Sequence, residues 1–212
     1  DIFHSSVLGE FLKFISSAEY LCGHNIVSHD FKYLKPFLKK SYKLIDTLYL
    51  SPILFPERPY HNLVKDDKII SDQLNNPLSD SLKAKQLFED EFERFKDLPE
   101  NIKRSYYDLL NENDHFKGFF EYAQYSSNRF SYLFNSKADN ISEILKGLVC
   151  SKANISRVIE STPTELAYAL AIIRTGDRYS ITPAWVKHQF PLVHNIIHTL
   201  RGINCGECKY CR

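Results

Sequence analysis

Three cysteines close the chain in the run Cys205-Gly-Glu-Cys208-Lys-Tyr-Cys211, a C-x2-C-x2-C pattern. Thiolates at that spacing can wrap a metal ion, because a tight turn eased by Gly206 presents the sulfurs on one side. Zn2+ suits the set first and an iron–sulfur cluster second. The fourth ligand is left open between His198, which shares a helical face with His194 at i, i+4, and a cysteine beyond Arg212. The plain alternative is a reduced tail whose partners lie elsewhere. Cys22 and Cys150 sit in apolar sequence and are expected in the core. A second stretch with chemistry in it is YLCGHNIVSHDFKYLKPFL, residues 20–38. There an apolar run breaks into Gly-His-Asn, and one acid, Asp30, opens the next amphipathic segment. An Asp at that place either caps a helix or is held to bind a cation, while His24 reads as structural.

The elements around Asp30 follow from hydrophobic spacing. Residues 6–19 carry Val7, Leu8, Phe11, Leu12, Ile15 and Ala18 at helical intervals. Residues 20–27 read as a buried strand, 29–39 as a helix, and 42–48 as a second strand with Asp46, a structural acid, near its end. Strand, helix, strand makes a βαβ unit whose two strand ends share one rim, the edge where α/β proteins bind ligands. Residues 51–77 hold four prolines and read as a long connection with one short helix. A long helix follows over 78–98 and stops at Pro99. Beyond it only helices are expected: 101–112, 114–125, two within 141–160, and two that start on Thr-Pro. The first of these has Thr162 and Glu165 as a capping box, Pro163 in the first turn and Gly176 past its end; the second starts at Thr182-Pro183, is interrupted at Pro191 and ends at Gly202. The expected division is an α/β part over 1–98 and a helical part over 99–212.

Composition bounds the function. With 212 residues, 43% of them hydrophobic, the chain can bury a core without staples. A net charge of +1 gives no global basic field, so a nucleic-acid contact would come from a local patch such as Lys39, Lys40 and Lys43, or that run is simply a solvated face. No apolar run approaches the ~20 residues of a membrane span, and the start does not read as a signal peptide. Five cysteines, an odd count, point to a reducing, intracellular compartment, and a cytoplasmic location is expected. The lack of any methionine and the stop one residue after the cysteines suggest a piece of a longer polypeptide.

GHNIVSHDFKYL resembles the second motif of the DnaQ-like (DEDD) 3′–5′ exonucleases, where Asn and Asp flank a strand-to-helix turn. IDTLYLSPILFPERPYHNL is similar to the stretch that follows, and NNPLSDSLKAKQLF to the third motif, whose Asp opens the last helix. The resemblance spans roughly residues 7–95. It implies a partial RNase H-like α/β unit followed by an all-helical region, helix-dominated overall. It also implies Asp30 and Asp80 as ligands of Mg2+ or Mn2+ in two-metal phosphodiester hydrolysis, with the ions about 4 Å apart. The sequence departs from the family in two places. The opening Asp-x-Glu strand is not among these residues, so the fragment alone is expected to be inactive. Asn75 stands where the family has its general-base His and cannot accept a proton at neutral pH; His29 offers a base instead. His61 with Asp66 repeats the five-residue spacing but falls before the last helix. SITPAWVKHQFPLVHNIIHTLRGINCGECKYC further resembles the region ahead of the motor in RecQ-like helicases. The implied partners are nucleic acid, DNA rather than RNA, and a covalently linked helicase motor, with no membrane. No P-loop occurs in these residues. A catalytically degenerate exonuclease fold kept for DNA binding or scaffolding is the alternative, and a helical linker with a metal knot is a third.

Overall fold

The computed structural model describes residues 3–63, 77–126, 136–175, 182–203 and 205–208. Helices dominate it, around one small parallel sheet. The amphipathic opening forms α1 (Leu8–Ile15). It is followed by β1 (Tyr20–Gly23), α2 (Asp30–Leu34), which tightens into a 3-10 turn over Lys35–Phe37 at Pro36, and β2 (Lys43–Asp46). The strands pair in parallel with Tyr20 beside Lys43 and Gly23 beside Asp46, so both end at the same rim. The βαβ reading therefore holds, with shorter strands than expected.

The segment from Thr47 corrects the sequence reading. Residues taken as the end of a strand and the start of a connection instead form α3 (Thr47–Leu54), and all eight of its residues are buried. A helix covered on every side has no polar face, so its apolar run shows no 3.6-residue period and mimics a buried strand. Asp46 starts it by accepting the Leu48 amide hydrogen at 3.1 Å.

The remaining helices are α4 (Pro77–Asp97), α5 (Glu100–Leu110), α6 (Asp114–Tyr122), α7 (Lys137–Leu145), α8 (Ile155–Ser161), α9 (Pro163–Arg174), α10 (Ala184–Gln189) and α11 (Leu192–Arg201). Helix α9 is the axis of the core. Leu166 to Ile173 are all buried, and alternation of Ala167, Ala169 and Ala171 with larger side chains lets α3, α5 and α11 approach it closely. Burying each Leu, Ile or Phe contributes about 1.5–3 kcal/mol. Tyr168 on α9 donates its hydroxyl to the Tyr49 carbonyl at 2.9 Å, so the two halves of the chain share one core that runs from Ile45 to Leu200.

Two helix starts differ from the expected capping. Thr162 does not cap α9: its hydroxyl donates back to the Val158 carbonyl at 3.3 Å, because α8 ends immediately before it. A capping box forms instead at Ser136 and Asp139, at the head of α7. At the other strand face, α6 lies directly on β2, and a methyl group added at Gly118 would press into the Leu44 carbonyl. Gly118→Ala is therefore expected to cost about 3 kcal/mol through forced displacement of α6. Chemical denaturation monitored by circular dichroism measures it, and an unchanged midpoint would show that α6 does not sit against β2 in this way.

Candidate functional site

The rim is organised by Asp46, which is 0% exposed. One carboxylate oxygen accepts the Asn25 amide hydrogen at 2.9 Å as well as that of Leu48, and the other accepts the Val27 amide hydrogen at 3.1 Å. These bonds fold residues 24–27 back over the ends of β1 and β2. The turn needs a residue in the left-handed region, and Asn25 supplies it at φ 61°. Behind it, His24 Nδ1 meets Thr47 Oγ1 at 3.0 Å, Ser28 meets the Tyr49 hydroxyl at 3.2 Å, and Ser51 meets His61 Nδ1 at 2.9 Å. Burial pushes the Asp46 carboxyl up to about 6, against the pull of its backbone donors. Burial likewise brings His24 and His61 down to about 4, so both rings are neutral near pH 7.

A fourth buried group was not anticipated. Glu91 on α4 is 0% exposed, and among the described residues neither of its oxygens has a hydrogen-bond partner. Burial first, then the Asp46 charge, drives its carboxyl well above the usual range, while Arg58 opposes the shift. The protonated form is therefore favoured. The Nε2 atoms of His24 and His61 are likewise buried without a partner among the described residues. The signal for Glu91 lay in its spacing: it sits between Phe88 and Phe95 in the apolar stripe of α4, a position a solvated acid would not occupy.

The exposed groups lie in front of this layer. Asp30 opens α2 at the rim, exposed, with His29 Nδ1 at 3.5 Å from its carboxylate. Asp80 lies half-buried in the first turn of α4. The acid of that helix whose charge is felt at Cys22 is Glu91, about 16 Å further along the helix axis. Among the described residues, neither Asp30 nor Asp80 belongs to a group of three metal-ligating side chains within 4.8 Å. Asn75 and Asp66 lie outside the described residues. Lys43, named above as a phosphate contact, is instead held by Glu19 at 2.7 Å and Glu121 at 3.0 Å, at the strand end away from the rim. Cys22 is exposed on β1 rather than packed in the core.

The cysteine turn is a separate site. Cys150, Cys205 and Cys208 bring their sulfurs within 4.8 Å of one another, a set able to bind a metal ion. Cys150 follows α7, is 2% exposed, and hydrogen-bonds through its amide to the Leu200 carbonyl at 2.8 Å. Arg201 Nε donates to the Leu148 carbonyl at 2.9 Å, tying the same two segments together. Gly206 takes φ +76°, and the Cys208 amide points at the Cys205 sulfur at 3.4 Å. Backbone donors from Glu207 and Cys208 lower the Cys205 thiol to about 6. His198 is exposed on α11, edge-on to His194, and is not among these ligands. Cys211 lies outside the described residues. Cys150 was expected in the core, and it is buried there; what sequence reading missed is that its sulfur faces the turn. The count was the available signal, because Cys150 with the C-x2-C-x2-C run makes four thiols, a tetrahedral number.

Comparison with known protein families, curated proteins and solved structures finds no match. No helix among the described residues is long and apolar enough to cross a membrane.

Glu91 gives a pH test. A carboxyl whose folded pKa is raised contributes stability that is fully present below its ordinary value of 4.5 and is lost as pH rises toward the folded value. Relative to Glu91→Gln, the native protein is expected to lose stability as pH climbs above 4.5, by at most about 1.4 kcal/mol per pH unit. Parallel urea titrations across that range measure it; a constant difference would mean that Glu91 is not held protonated.

Proposed function

We propose that this chain is an exonuclease-like nucleic-acid module of a larger polypeptide, built on a partial RNase H-like unit and acting on DNA ends beside a helicase motor. The observation that supports it is the parallel register that ends both strands at Gly23 and Asp46, with exposed Asp30 opening α2 at that rim. In this reading Asp30 and Asp80 would hold Mg2+ or Mn2+, and the ion would supply polarisation of the phosphate and activation of water. Asp30 offers an uncrowded carboxylate on a backbone made rigid by Asp46. In this reading His29, whose Nδ1 lies 3.5 Å from that carboxylate, would serve as the base. Asn75 contributes no base. The cysteine turn has a structural part in this scheme rather than a catalytic one.

A second reading keeps the same fold as a DNA-binding or scaffolding module without hydrolysis. It is favoured by the absence, among the described residues, of a third ligand near Asp30 or Asp80, and by Asn75 in the place of a base.

The two readings separate in a polypeptide that includes the residues upstream of Asp1. Divalent-dependent release of nucleotides from a single-stranded 3′ end, falling about 100-fold or more in Asp30→Ala, is the expected result of the first. DNA binding with no release, unaltered by Asp30→Ala, leaves the second. Neither binding nor release removes both.

A further inference from the structure

We propose that Cys150, Cys205 and Cys208 bind one Zn2+ ion, which staples the segment after α11 to the turn between α7 and α8. The proposal is independent of any nuclease activity. Its basis is convergence: two segments remote in sequence bring three sulfurs within 4.8 Å of one another. A tetrahedral Zn2+ with bonds of about 2.3 Å places its sulfurs about 3.8 Å apart, so small side-chain adjustments close this set around a single ion. A [4Fe–4S] cluster would seat each thiolate on a different iron and spread the sulfurs further, which disfavours that cluster here.

The surroundings suit a thiolate centre. The Cys208 amide donates toward the Cys205 sulfur at 3.4 Å, and the Lys152 amide toward the Cys150 sulfur at 3.5 Å. Donors of this kind orient metal-bound sulfur and offset its charge. Each thiol would release its proton to solvent on coordination. Cys150 comes from the core, so it supplies the fixed end, while Cys205 and Cys208 arrive on a turn shaped by Gly206. The exposed pair of Lys152 and Glu207 at 3.2 Å also joins the two segments, and such a pair contributes little. A metal bond to Cys150 would add a covalent-strength tie between the two segments.

The test uses the full chain, purified under reducing conditions, stripped with a chelator and titrated with Zn2+. One equivalent is expected to bind to the wild type and to Cys22→Ser, and Cys150→Ser is expected to bind about 100-fold more weakly or worse. Alkylation mapped by mass spectrometry supplies a reading on the unaltered chain, should Cys150→Ser fail to fold. With Zn2+ present, Cys205 and Cys208 resist the reagent; on chelation both become reactive together, while Cys150 stays shielded by the core. Equal Zn2+ affinity in Cys150→Ser, or equal alkylation of Cys205 and Cys208 with and without Zn2+, overturns the proposal. So does a disulfide between two of these cysteines in protein that takes up no Zn2+.

Discussion

A carboxylate withdrawn from water is the constraint on which the rest of this molecule turns. Burying an ionisable group costs several kcal/mol unless hydrogen bonds replace its solvent. Asp46 meets that cost with the amides of Asn25, Val27 and Leu48. Those amides belong to two different pieces of chain, the turn after β1 and the first turn of α3. One side chain thus fixes where both strands stop, how the chain turns back, and where the buried helix begins. Helix α3 then supplies Tyr49, whose ring stacks on His115 at 3.9 Å and whose carbonyl takes the Tyr168 hydroxyl. Through that residue the small sheet is joined to α6 and α9, and so to the whole core.

The same constraint explains the polar layer behind the rim. Thr47, Ser51, His24 and His61 share buried hydrogen bonds around the start of α3, and Glu91 closes the layer from α4. Burial keeps the two imidazoles neutral and favours the protonated acid, so the layer carries little net charge near pH 7. The exposed groups in front, Asp30 and His29, follow the turn that Asp46 holds through the Asn25 and Val27 amides. Rigid support under exposed polar groups is what a binding or catalytic surface requires. That relation supports the proposal that the rim is the working surface.

Much of this was legible from spacing. The βαβ order, the long α4 with its stop at Pro99, α5, α6 and the heavily apolar α9 follow from periodicity and punctuation, and Asp46 was read correctly as structural. Helix α3 was not legible, because burial on all sides erases the amphipathic signal. Thr162 misled because its hydroxyl had two helices to serve and bonded to the earlier one. Glu91 and Cys150 were missed for a shared reason. Each lies in apolar sequence, and its chemical role appears only when a remote segment packs against it.

Hydrogen exchange at three backbone amides tests the role of Asp46 most directly. In the native chain the Asn25, Val27 and Leu48 amides should exchange as slowly as those of β2. Asp46→Asn keeps one acceptor oxygen and replaces the other with a donor, so at least one of the three should lose its protection while the core of α9 keeps its own. If all three exchange rapidly in the native chain, or none changes in Asp46→Asn, the carboxylate does not hold the rim together.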